Sequence, residues 1–128
     1  MSFGYRIDKN LQIVYLEGGD PGFEEWKQTL LTLFADTDYV KGYNFLSDRR
    51  AIEEPRSAGY IKAAVRFLID HTEELGRCKW ASVVSTTVAF GMGRMAQILS
   101  ENTLEVQVFT DLDKAREWLV DGRRPDLP

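Results

Sequence analysis

Most of the residues that make a function easy to read are scarce in this chain. Of its 128 residues, one is cysteine and one is histidine. Cys78 alone cannot close an internal disulfide. Cys78 with His71 is too small a set to ligate a structural metal or to build a Cys–His or Ser–His–Asp relay. No apolar run approaches the roughly 18 residues a membrane span requires. The opening Met1-Ser2-Phe3-Gly4-Tyr5 has no basic segment followed by an apolar one, so the expected setting is the cytoplasm. Basic excess is missing too: 20 acidic against 16 basic residues leave a formal charge of -4, which argues against nucleic acid as a partner. There are no repeats and no low-complexity linkers. The expectation is one domain over 1–122 with a flexible tail over 123–128. Any function then sits on that domain or between copies of it, as in a homodimer.

What the chain does have is short apolar runs alternating with helical periodicity. The central stretch is Trp80-Ala81-Ser82-Val83-Val84-Ser85, whose paired valines suit a strand covered on both faces. Thr86 or Thr87 then caps a helix carrying Phe90, Met92 and Met95. Upstream, Tyr5-Arg6-Ile7 and Leu11 to Leu16 form a hairpin through Asp8-Lys9-Asn10. After Gly18 to Gly22, the apolar residues Phe23, Trp26, Leu30, Leu33 and Phe34 recur at helical spacing. Tyr43 to Asp48 is a third strand, followed past Pro55 by a helix with Tyr60, Ile61, Ala64, Val65 and Leu68 on its apolar arc and stopped by Gly76. Leu104 to Phe109 alternates as an edge strand, and Asp111 opens a last helix with Ala115, Trp118 and Leu119 on its inner stripe. The predicted class is α/β, in the order ββαβαβαβα: a mixed sheet of about five strands with about four helices.

Phe90-Gly91-Met92-Gly93-Arg94-Met95 is similar to an aromatic-Gly-x-x-Arg-Met helix start. Val108 to Leu119 is similar to a closing strand followed by an Ala-x-x-Trp-Leu helix. On these residues and the order of elements over about 4–120, the chain resembles the SpoIIAA-like family, related in fold to STAS (anti-sigma-factor antagonist) and CRAL-TRIO lipid-binding domains. The resemblance implies a regulatory or binding module with a protein partner or a small anionic or lipid-like ligand. It does not carry over the phosphoswitch of STAS antagonists, because Asp48 is followed by two arginines and Ser57 lies beyond Pro55.

The candidate site lies at the carboxyl ends of the third and fourth strands, where open α/β sheets place ligands. Asp48, Arg49 and Arg50 form a bidentate anion clamp or, more ordinarily, a surface ion-pair cluster with Glu53 and Glu54. Ser85, Thr86 and Thr87 cap a helix and leave hydroxyls and amides for an anion, with Arg94 reaching back. Ser57, Tyr60 and Phe90 border the same end. Gly91-Met92-Gly93-Arg94-Met95-Ala96 matches the dinucleotide pattern G-x-G-x-x-A formally. It fails on context, because five residues separate Ser85 from Gly91 and helix packing is the better account of both glycines. No catalytic residue, metal or cofactor is expected. The expected function is non-enzymatic binding; the alternative is a small hydrolase or nucleotide-dependent enzyme using Asp48, Ser57 or Thr86. Replacing Val84 with Asp should strand a carboxylate in the interior and cost several kcal/mol, roughly 3 or more, read as a fall in the urea midpoint. A mutant as stable as its parent would refute the internal strand.

Overall fold

The computed structural model describes residues 3–121. The tail expected at 123–128 lies outside them. Strands β1 (Gly4–Asp8) and β2 (Ile13–Glu17) pair antiparallel, with Arg6 opposite Tyr15. Asp8 accepts a hydrogen bond from the Leu11 amide, and Gln12 takes a left-handed φ of 58° to close the turn. Helix α1 (Phe23–Phe34) buries Trp26, Leu30 and Leu33 as its periodicity requires. β3 (Asn44–Asp48) leads to α2 (Ala58–Asp70), which starts three residues later than Pro55 because Ser57 is the cap, its hydroxyl accepting from the Tyr60 amide at 3.1 Å.

A fifth helix, the single turn α3 (Thr72–Leu75), follows His71 and was not expected from the sequence. Gly76 ends it at φ 67°, the conformation glycine adopts most cheaply. β4 (Lys79–Val83), α4 (Thr87–Ser100, capped by Thr86), β5 (Glu105–Phe109) and α5 (Leu112–Val120, capped by Asp111) complete the described chain. The result is an α/β fold with a five-stranded mixed sheet and five helices.

The strands lie in chain order, β1-β2-β3-β4-β5, and every pair after the hairpin is parallel. β4 is therefore internal and β5 an edge, as the two apolar patterns predict. Right-handed crossovers between strands laid down in one direction put their helices on one face of the sheet. The registered row Phe45, Trp80 and Val106 points to that face. There Trp80 stacks on Phe45 with centroids 4.6 Å apart, and Trp26 brings α1 to 6.4 Å from Trp80. The alternate residues Leu46, Ala81 and Val83 point to the opposite face, where Ala115 and Leu119 of α5 cover them. Trp118, expected inside, is half-buried at the rim: its ring lies 5.6 Å from Phe109, with the Lys79 ammonium 5.3 Å above it. Buried Asn44 joins the layers, its Nδ2 donating to the Leu119 carbonyl at 2.6 Å and its Oδ1 accepting from the Lys79 amide at 2.8 Å.

Helix α4 is unusual in what it buries. Ala89 and Ser100 are its fully buried residues, while Val88 and Ile98 stand 61% and 62% exposed. Small residues turn inward because α4 rides close on β5: a Cβ at Gly93 would lie 2.5 Å from a Val108 methyl carbon and 2.8 Å from Val108 Cβ. Gly91 faces open space, so packing explains Gly93 and not Gly91. The two positions should therefore respond oppositely to alanine. Gly93→Ala should destabilise by about 1–3 kcal/mol through overpacking, and Gly91→Ala should stabilise by up to about 1 kcal/mol through helix propensity, both read from urea midpoints.

Candidate functional site

Because α4 presents small side chains and α2 presents Ala64, the two helices do not fill the angle between them above the sheet. A cavity of about 70 Å³ remains, at the base of a depression of about 690 Å³ that includes its open mouth. The smaller figure decides what fits without movement; it exceeds the space one water needs and falls short of the ~150 Å³ that holds a benzene-sized guest. Ile61, Ala64 and Leu68 form the α2 wall, and Ala89, Met92 and Ala96 the α4 wall. The sheet contributes Ser47, Ser82, Trp80 and Val106, with Trp26 alongside. Pro55 and Arg56, from the segment before α2, complete the lining.

Three polar groups give this otherwise apolar space its chemistry. Trp26 is 1% exposed, yet its Nε1 has no hydrogen-bond partner among the described residues. Arg49 is buried, donating from Nη1 to Asp20 at 3.3 Å and from Nη2 to the Glu54 carbonyl at 3.4 Å. The Arg56 guanidinium carbon lies over the Tyr60 ring, 4.7 Å from its centroid, while its buried Nε and Nη2 find no partner among the described residues. Burial, and then the neighbouring charge of Arg49, push the Arg56 pKa down to about 10, which leaves it cationic at neutral pH. Burial raises the pKa of Tyr60, whose hydroxyl donates to the Pro21 carbonyl at 3.2 Å and holds the loop before α1 against α2.

The structure separates the residues that the sequence grouped. Strand alternation continues past β3, so Arg49 turns toward the cavity and Arg50 turns back to Asp48. Arg50 Nε and Nη2 grip the two Asp48 oxygens at 2.9 and 2.8 Å. That pairing holds the Asp48 carboxyl below its usual range. Ser57 and Thr86 serve as helix caps. Ser85, Thr86, Thr87 and Phe90 share a separate shallow depression with Thr110, and Arg94 is exposed on α4. His71 closes α2, its Nδ1 2.8 Å from the Phe67 carbonyl and its ring stacked on Phe67 at 4.1 Å. Of the grouped residues, Arg49 lines the cavity and Tyr60 supports its Arg56 wall.

Arg56 and Trp26 were not singled out as site residues. Trp26 sits on a helical stripe and reads as core. Arg56 lies in an aperiodic segment, where spacing carries no information about direction; its only signal is its place just ahead of the Ser57 cap. Among the described residues, no group of three or more His, Cys, Asp and Glu side chains converges as metal ligands would. No described helix is long and apolar enough to cross a membrane. Compared with family models, with curated proteins and with solved structures, the chain finds no significant match.

A guanidinium with two buried nitrogens that lack partners among the described residues is a net cost to the fold. Arg56→Met keeps the apolar stem and removes the charge, so it should raise the stability of the ligand-free protein by on the order of 1 kcal/mol. Chemical denaturation of the two proteins checks this; a variant clearly less stable than the parent would mean that Arg56 is structural.

Proposed function

We propose that this domain is a non-enzymatic binding module whose ligand enters the cavity between α2 and α4. The observation that carries the reading is a partly open, mainly apolar space whose lining includes polar groups without partners among the described residues, the pattern of a ligand pocket rather than of a packing defect. Burying Trp26 Nε1 and the Arg56 fork in this way costs stability, and a ligand that accepts their hydrogen bonds would offset that cost. The resemblance of the sequence to SpoIIAA-like proteins points the same way. Binding rather than turnover is favoured by the chemistry of the lining: two arginines, two indoles and two serine hydroxyls hold and orient, and His71 is engaged elsewhere by Phe67.

A guest larger than the cavity needs a wall to move. α4 meets the sheet partly through small side chains and exposes Val88, Ile98 and Leu99, so its outward face would lose no packing by such a movement. Native mass spectrometry of the protein purified from its own host should show a retained small molecule. Ala64→Leu, which fills the cavity from the α2 wall, should lose that molecule while keeping the parent's circular dichroism and melting temperature. Retention of the same mass in the filled variant would put the ligand elsewhere.

A further inference from the structure

Arg56 and Arg50 present the same chemical edge in two settings. In Arg50 the Nε and Nη2 hydrogens lie along one side of the guanidinium and take both oxygens of a single carboxylate, Asp48. In Arg56 the same two nitrogens, Nε and Nη2, are the buried atoms without a partner. The Arg56 guanidinium carbon lies over the Tyr60 ring, 4.7 Å from its centroid, and a guanidinium held over an aromatic face can still pair through its edge with a ligand. The charges around the cavity reduce to one surplus cation. Arg49 is paired with Asp20, so among the described residues the two arginines and this one carboxylate leave a single net positive charge beside a space otherwise lined mainly by carbon and hydroxyl groups. One net positive charge in an apolar enclosure matches a monoanion and under-compensates a dianion.

We infer that the ligand is a small monocarboxylic acid, held by its carboxylate in the Nε–Nη2 edge of Arg56 with its hydrocarbon body between Ala64, Leu68 and Val106. This rests on the reading of the cavity as a ligand site. The planar edge fits two oxygens of one acid group, and the single surplus charge selects a monoanionic carboxylate over a phosphate monoester, which carries close to two charges at neutral pH. At about 70 Å³ the resting cavity holds a short chain at most, so longer acids enter only as a wall moves. Trp26, whose Nε1 is the other buried donor without a partner among the described residues, and Trp80 both line the cavity, so their fluorescence should report its occupation.

The test titrates the whole protein with octanoate, octyl phosphate and 1-octanol, which share one chain and differ in the head group, following binding by calorimetry and tryptophan fluorescence. Butanoate and hexanoate extend the series to shorter chains. Octanoate should bind more tightly than either partner compound. Arg56→Met should weaken octanoate by roughly tenfold or more and leave 1-octanol unchanged; Arg56→Lys, which keeps the charge but loses the planar edge, should fall between. If octanol binds as well as octanoate and Arg56→Met changes neither, the carboxylate assignment is overturned while the cavity remains a ligand site. Tighter binding of octyl phosphate overturns the monoanion. If no compound binds any variant, and the protein from its host also carries no small molecule, both the acid and the cavity reading fail.

Discussion

Laying four parallel strands side by side in chain order constrains this molecule more than any single contact does. Once β2, β3, β4 and β5 advance in one direction, the right-handed crossover leaves their connecting helices no choice of face, and the large aromatic residues must gather beneath them. In doubly wound sheets the strand order reverses, and the helices part on opposite faces to open a crevice at the strand ends. Among the described strands there is no such reversal. Space for a guest arises instead where two helices on the same face meet imperfectly, and this is why the cavity lies under α2 and α4 rather than beyond the tips of the strands.

The cavity also shows a local conflict within an otherwise consistent fold. Nearly everywhere, propensity, capping and burial agree: Ser57, Thr86 and Asp111 cap the helices they precede, and the apolar rows of β3 and β4 are covered on both sides. Around Arg56 and Trp26 they disagree, because donors are buried without acceptors while apolar side chains would have packed there at less cost. Natural sequences keep such conflicts where they are used. The outward apolar stripe of α4 is a second one, as the same helix that closes the cavity holds its place with alanine, glycine and serine.

Much of the fold could be read directly from the residues. The paired valines of Trp80 to Ser85 marked an internal strand, the alternation of Leu104 to Phe109 marked an edge, and Thr86 or Thr87 before one helix and Asp111 before another marked their starts. Periodicity carried that information because it survives without knowledge of tertiary neighbours. The site was less legible. Arg49 and Arg50 were grouped by adjacency although alternation past Asp48 sends them to opposite sides, a distinction the same period-two rule contains. Arg56 was hidden for a different reason: the segment from Ala51 to Ser57 has no repeat, and only the docking of α2 decides where its side chains point. Gly91 and Gly93 carry the same letter, and only the approach of Val108 tells them apart.

The second face of the sheet has a consequence for how the protein comes into being. Ile13, Tyr15, Leu46, Ala81 and Val83 belong to strands made early, and the helix that covers them, α5, is made after all five. Domains emerge from the ribosome N-terminus first, at about 5–20 residues per second. During synthesis, then, the helix-covered side can assemble as each crossover is completed, while the opposite side stays bare until Leu112 to Val120 arrives. For that interval the nascent chain is a one-sided sheet with a sticky underside. A chaperone that recognises exposed apolar strands would find its substrate there, in a form that no longer exists once the last helix docks.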